Sequence, residues 1–203
     1  MDNDKYVSMQ IKCNVPTAMR GELKLLGAKD TKKYEYLAHV KQNIEDFIKQ
    51  GCSLYIYSRY PGNGKTSWAI KLLNEHIKNV CESNNNNDLV GLFVNVDELL
   101  VSQVKPLKIS QYYLDLCKNV DLLVLDDIGC SKITVLEEQI LRTIINTRLL
   151  NGKATIYTST AIDEDLQDNI GLRLANMVLD ASVIVEFNNL PQRKAINIYD
   201  LIS

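Results

Sequence analysis

Residues 54–70 read LYIYSRYPGNGKTSWAI, an apolar run that breaks into a glycine-containing loop ending Gly64-Lys65-Thr66, after which apolar residues resume at helical spacing. Strand, tight loop and helix follow one another in that order. Backbone N–H groups of such a loop point inward at a helix N-terminus and make a concave anion site on which a triphosphate can sit. Gly62 and Gly64 leave room for the phosphates and permit the positive φ angles such loops use. Lys65 supplies a mobile cation for the β and γ phosphates, and the Thr66 hydroxyl can ligate Mg²⁺. The segment Pro61, Gly62, Asn63, Gly64, Lys65, Thr66 and Ser67 is therefore the expected binding loop, with ATP and Mg²⁺ as its ligands. One departure stands out. The pattern G-x-x-x-x-G-K-[ST] places its first glycine where this chain has Arg59.

The chain around this loop has 203 residues, 46% hydrophobic and 24% charged, enough for one well-buried core. A formal net charge of −2 gives no standing, charge-driven grip on nucleic acid or a membrane surface. Any DNA contact must be local or built by assembly. Cysteines at 13, 52, 81, 117 and 130 are odd in number and never form C-x-x-C, so neither a disulfide framework nor a zinc ribbon is indicated. They read as small core residues of a reduced, cytoplasmic protein. The opening MDNDKYVSMQ is polar, and no apolar run approaches the roughly 18 residues of a membrane span, so neither a signal peptide nor a span is expected.

Residues 1–36, interrupted by Pro16, Gly21 and Gly27, read as an N-terminal arm, with the main domain over 37–203. From Leu37 the apolar positions Val40, Ile44, Phe47 and Ile48 predict an amphipathic helix stopped by Gly51. Ser53 to Ser58 is the strand feeding the loop, and Ile70, Leu73, Ile77 and Val80 mark one face of the helix beyond it. Ser83 to Asp88 is a polar connector. Leu89 to Val96 and Val120 to Leu125 are apolar enough to be interior strands. Residues 98–118 are helical or irregular. Thr134 and Glu137 form a capping box for a helix running to Leu149, stopped by Asn151-Gly152. Ala154 to Thr158 is a further strand, Asn169 to Leu179 a short helix, and Ser182 to Phe187 a last strand. Five strands alternating with helices predict a three-layer α/β fold with a parallel sheet, its ligands at the strands' carboxyl ends. The second interior strand ends in Asp126-Asp127. Two carboxylates there require a cation: Asp126 to hold Mg²⁺, Asp127 to orient or deprotonate the attacking water.

The runs GCSLYIYSRYPGNGKTSWAI (51–70), VDLLVLDDIG (120–129), NTRLLNGKATIYTST (146–160) and GLRLANM (171–177) resemble the AAA+ ATPase domain of bacterial and phage replicative helicase loaders of the DnaC and DnaI kind, with the IstB transposition ATPases as relatives. The resemblance spans residues 37–195. It implies an AAA+ P-loop NTPase without a separate helical lid domain, hydrolysing ATP slowly and under stimulation by DNA or assembly. Thr160 takes the place of the family's sensor asparagine, which positions the lytic water. Arg173 matches the arginine presented to a neighbouring subunit's γ-phosphate. The family's second arginine, four positions on, falls on Met177, and Arg59 is a candidate to replace part of that charge. Arg148 recurs in the family before the sensor strand, where a role in the fold or an interface competes with one in catalysis.

The resemblance further implies a homo-oligomer, phage-encoded in view of its short length, that uses ATP to place a DnaB-type replicative helicase on single-stranded DNA during replication. Lys105, Lys108, Lys132 and Tyr112 or Tyr113 are the DNA-contact candidates, each with an ordinary solvated or core role as the competing reading. The alternatives are an IstB-like transposition ATPase and a nucleotide-gated interaction protein with little hydrolysis. A small-molecule kinase is disfavoured by the lack of an acceptor lid after Asp126.

Overall fold

The computed structural model describes residues 3–20, 31–83, 88–102 and 107–188. Residues 84–87 of the expected connector, Gly21, Gly27 and Lys105 lie outside them, as does the side chain of Lys108.

The chain runs α1 (Asn3–Lys12), a 3-10 turn at Thr17–Met19, α2 (Thr31–Gln42), α3 (Ile44–Lys49), β1 (Ser53–Tyr57), α4 (Lys65–Ser83), β2 (Gly91–Asn95), α5 (Val96–Ser102), α6 (Leu107–Asn119), β3 (Leu122–Asp126), α7 (Val135–Leu150), β4 (Ala154–Ser159), α8 (Asp163–Ile170), α9 (Leu172–Asp180) and β5 (Ser182–Glu186). All strand pairs are parallel, in the order β2-β3-β4-β1-β5. Parallel neighbours need crossover connections, so helices cover both faces and successive strand residues feed two separate cores. Leu54 and Ile56 of β1 pack with Trp68, Ile70 and Leu73 of α4. Tyr55 and Tyr57, pointing the other way, pack with Leu141 and Ile144 of α7 and Leu174 of α9. This is the expected three-layer α/β sandwich. No helix among the described residues is long and apolar enough to cross a membrane.

The structure refines the local expectations. Leu89 to Val96 was expected inside the sheet, yet β2 is an edge strand. Its apolar residues are buried under helices on both faces, and the segment after α1 covers its backbone edge: Phe93 N–H donates to the Cys13 carbonyl at 2.8 Å, and Asn14 Nδ2 donates to the Phe93 carbonyl at 3.0 Å. Residues 3–20 of the expected arm thus contribute to the core, with Tyr6, Met9, Cys13 and Val15 buried and Gln10 Nε2 donating to Asn74 Oδ1 of α4 at 2.8 Å. The helix predicted from Leu37 is two helices, α2 and α3, parted at Asn43, whose side chain donates to the His39 carbonyl at 2.9 Å and competes with the helical ladder. The stretch 98–118 is helical in two pieces. The short helix expected at 169–179 is α9, which starts after Gly171 at φ +84°, and a further helix, α8, precedes it.

Other local signals hold. Glu137 N–H donates to the Thr134 hydroxyl at 3.4 Å and Thr134 N–H to the Glu137 carboxylate at 2.7 Å, which completes the capping box. Gly152 adopts φ +58° as the stop of α7. Gly51, at φ +64°, lies so close to Gly152 that a Cβ would sit 2.6 Å from its carbonyl oxygen.

Arg148 settles as a structural residue. It is 1% exposed at the sheet end opposite the phosphate loop. Its Nε donates to Thr155 Oγ1 at 2.9 Å, Nη1 to the Cys117 and Val120 carbonyls, both at 2.9 Å, and Nη2 to the Ala154 carbonyl at 2.5 Å. One guanidinium therefore ties the end of α6 to the starts of β3 and β4.

Candidate functional site

β3, β4 and β1 are adjacent and end at the same sheet edge, which brings Asp126, Thr160 and the phosphate loop together. The loop leaves β1 at Ser58 and enters α4 at Lys65, with Gly62 at φ +77° and Gly64 at φ +99°. These angles favour glycine. A Cβ on Gly64 would meet no atom within 4 Å, so the loop is open on that side, as a cradle for phosphates must be. Pro61 and Gly62 are exposed, while Thr66 and Ser67 are half-buried in the first turn of α4.

Asn63 turns inward. Its side chain is buried and its Nδ2 donates to Ser58 Oγ and, at 3.4 Å, to the Phe187 carbonyl, which leaves its backbone to face a phosphate. Lys65 is also buried, its ammonium laid over the loop at 3.2 Å from the Tyr60 carbonyl and 3.5 Å from that of Ser58. Burial lowers the Lys65 pKa, opposed by the carboxylates of Asp127 and Asp126. An anion on the loop would relieve that desolvation.

Asp126 ends β3 with a buried side chain. Burial raises its pKa, the Thr158 hydroxyl lowers it by donating to Oδ1 at 2.6 Å, the Asp127 charge raises it, and Thr66 and Lys65 pull it back. Thr66 and Asp126 are the donor pair a Mg²⁺ ion would use beside phosphate oxygens. Among the described residues no three His, Cys, Asp or Glu side chains gather into a metal centre. The donors fit an ion held partly by its nucleotide.

A carboxylate whose pKa is raised on folding costs stability once the unfolded chain ionises. That cost is absent below the ordinary carboxylate pKa and grows as pH rises through the folded value. Asp126→Asn is therefore expected to raise the melting temperature of the protein in chelator at pH 7 by about 2–4 °C, the shift produced by about 1 kcal/mol in a chain of this size. The gain should shrink toward pH 3. An unchanged or lower melting temperature at pH 7 would show that Asp126 is fully compensated without a cation.

Asp127 follows with φ +61°, a left-handed conformation rare outside glycine. Its N–H donates to Thr158 Oγ1 at 3.0 Å. Thr158 escaped the sequence reading. Its only signal there is a threonine two positions before Thr160, and its meaning depends on β3 and β4 being neighbours, with Leu125 opposite Tyr157. Thr160 reaches the same cluster through Cys130: its hydroxyl lies 3.2 Å from Cys130 Sγ, which is 3.8 Å from Asp127 Oδ1. Beyond them opens a pocket of about 300 Å³ whose lining includes Thr160, Cys130, Asp165, Asp168 and Asn169.

Arg173 stays outside this cluster. It is exposed at the second position of α9, beside the exposed Leu172, while Leu174, Ala175 and Val178 face the core. Met177 is half-buried against that core, so no cation replaces the family's second arginine there. Arg59 is exposed and donates from Nε to the Tyr57 hydroxyl at 2.9 Å, with Asp165 and Glu186 reinforcing its charge. Of the DNA-contact candidates, Lys132 and Tyr112 are exposed, whereas Tyr113 packs half-buried against the core.

No family model matches the chain. YdaV of Escherichia coli (strain K12), an uncharacterized protein, is 26% identical over 155 residues, an alignment that covers 75% of this chain and 60% of YdaV. A crystal structure of the DnaC helicase loader superposes with a TM-score of 0.65 over 82% of this chain and 94% of that one, at 19% identity. Replication initiator DnaA bound to AMPPCP and single-stranded DNA gives 0.65 over 82% of this chain and 48% of that one, at 23% identity. The described residues share the fold of these two structures. That fold brings the phosphate loop, the strand-end carboxylates and Thr160 to one sheet edge.

Proposed function

We propose that this chain is an ATP-dependent loader that assembles into a homo-oligomer and places a DnaB-type replicative helicase on single-stranded DNA in the cytoplasm. The observation that carries this reading is the convergence of an open phosphate loop, paired strand-end carboxylates and Thr160 at one edge of an AAA+ sheet. The likeness to DnaC, a helicase loader, supports the partner, and the likeness to a DnaA bound to AMPPCP and single-stranded DNA supports the ligands. The loop amides and Lys65 bind the β and γ phosphates. Thr66 and Asp126 hold Mg²⁺, which supplies neutralisation of charge on the phosphates. Asp127 orients or deprotonates the attacking water, and Thr160 gives that water a second contact. Arg173 reaches the γ-phosphate on a second copy, completing a site divided between two subunits.

Arg173→Ala is expected to leave ATP affinity within about twofold of wild type and to cut DNA-stimulated turnover by about 10³-fold, the scale of a trans arginine. A steady-state phosphate-release assay with single-stranded and duplex DNA measures this. An unaffected rate in the assembled protein would remove Arg173 from the mechanism, and stimulation by duplex alone would move the reading to a transposition ATPase. A second reading, nucleotide-gated assembly with little hydrolysis, is favoured by Met177 and by the Thr160 hydroxyl facing Cys130. Turnover that Asp127→Asn abolishes would set that reading aside.

A further inference from the structure

We propose that Thr158 is a positioning residue whose single hydroxyl fixes the metal-side carboxylate and the water-side carboxylate relative to one another. The proposal rests on the ATP-hydrolysing reading of this site and adds a residue to it.

Thr158 is fully buried on β4. Its hydroxyl has one proton, spent on Asp126 Oδ1 at 2.6 Å, and the same oxygen accepts the Asp127 N–H at 3.0 Å. The Thr158 carbonyl then accepts the Ile128 N–H at 2.9 Å. Three consecutive residues, the last of β3 and the first two beyond it, are thus registered on one residue of the neighbouring strand. Asp127 needs this, because a non-glycine residue at φ +61° persists only where its surroundings over-determine it. Shape alone would be met equally by valine, which is β-branched and suits a strand as well. A buried hydroxyl costs free energy unless it is hydrogen-bonded, and here both of its bonds go to the two aspartates. The hydroxyl therefore orients Asp126 toward its cation and holds the backbone bend that aims Asp127.

The test compares Thr158→Val, which keeps shape and loses the hydroxyl, with Thr158→Ser, which keeps the hydroxyl. The readouts are binding of a fluorescent ATP analogue in chelator and in Mg²⁺, together with kcat and KM. Thr158→Val is expected to bind the analogue in chelator within about twofold of wild type, to lose about 10-fold of the Mg²⁺-dependent gain in affinity, and to lower kcat about 30-fold with little change in KM. Thr158→Ser should recover all three to within about threefold. If circular dichroism shows Thr158→Val to be unfolded, Thr158→Ala against Thr158→Ser makes the same comparison. Wild-type Mg²⁺ dependence and kcat in the hydroxyl-less variant would overturn the proposal, as would a serine variant as impaired as the valine one. A wild-type protein that binds no analogue in Mg²⁺ would instead bring down the nucleotide-site reading and this proposal with it. The two failures are therefore distinguishable.

Discussion

Lys65→Ala is expected to weaken ATP binding by at least about 100-fold, because charge-assisted contacts to two phosphates are worth on the order of 3 kcal/mol together. The structure adds a reason for the size of the effect. The Lys65 ammonium is buried over the Tyr60 and Ser58 carbonyls, with both aspartates nearby, so in the free protein its charge is incompletely compensated. A triphosphate supplies the missing counter-charge and gains from a cation already in position. The alanine variant should fold normally, since the lost contacts are to carbonyls of a partly solvated loop. Lys65→Arg should not restore affinity: a planar fork cannot occupy the place of a compact ammonium on a flexible stem. Titration calorimetry with ATP in Mg²⁺ decides the matter. Affinity equal to wild type would sink the assignment of residues 61–67 as a phosphate site.

Arg148→Met is expected to cost more than about 4 kcal/mol of folding stability, with a fall in melting temperature on the order of 10 °C. The guanidinium is the donor for carbonyls at the end of α6 and the starts of β3 and β4, and for the Thr155 hydroxyl. Methionine fills the volume and donates nothing, which strands several buried acceptors at about 1–3 kcal/mol each. Burial pushes the arginine pKa down to about 10, so it is still a cation at neutral pH, held by carbonyl dipoles that include the negative end of α6. Lysine cannot span those acceptors from one point, so Arg148→Lys should recover only a minor part of the loss. Urea unfolding of the three proteins gives the comparison. A methionine variant within about 1 kcal/mol of wild type would refute the clamp.

What was legible in the sequence was local. The phosphate loop, the Asp126-Asp127 pair and the Thr134–Glu137 capping box are contiguous signals, because the geometry each one needs is made within a few residues. Strand order is different. Continuous apolarity marked residues 89–96 as buried on both faces, which they are, but an edge strand lying between two helix layers reads the same as an interior one. Thr158 gains its role only because β4 lies beside β3, a pairing across 31–32 positions that no local pattern records. Arg148 carried a resemblance without a mechanism, since its partners are main-chain carbonyls that no residue type announces. The Asn43 break followed from turn chemistry that a continuing apolar period concealed.

The strap over β2 has a consequence for how the protein is assembled. Asn14 meets Phe93 across 79 positions, and Gln10 meets Asn74 across 64. Contacts of that sequence separation close long loops, so α1 is expected to dock after α4 and the strands it covers have met, an order that pulsed hydrogen exchange during refolding would report. Until then β2 is a naked, apolar sheet edge able to recruit the same strand from another molecule. A fragment begun at residue 37 would hold that state permanently. It would keep the whole phosphate loop and both aspartates, and it would be drawn toward strand-to-strand aggregation.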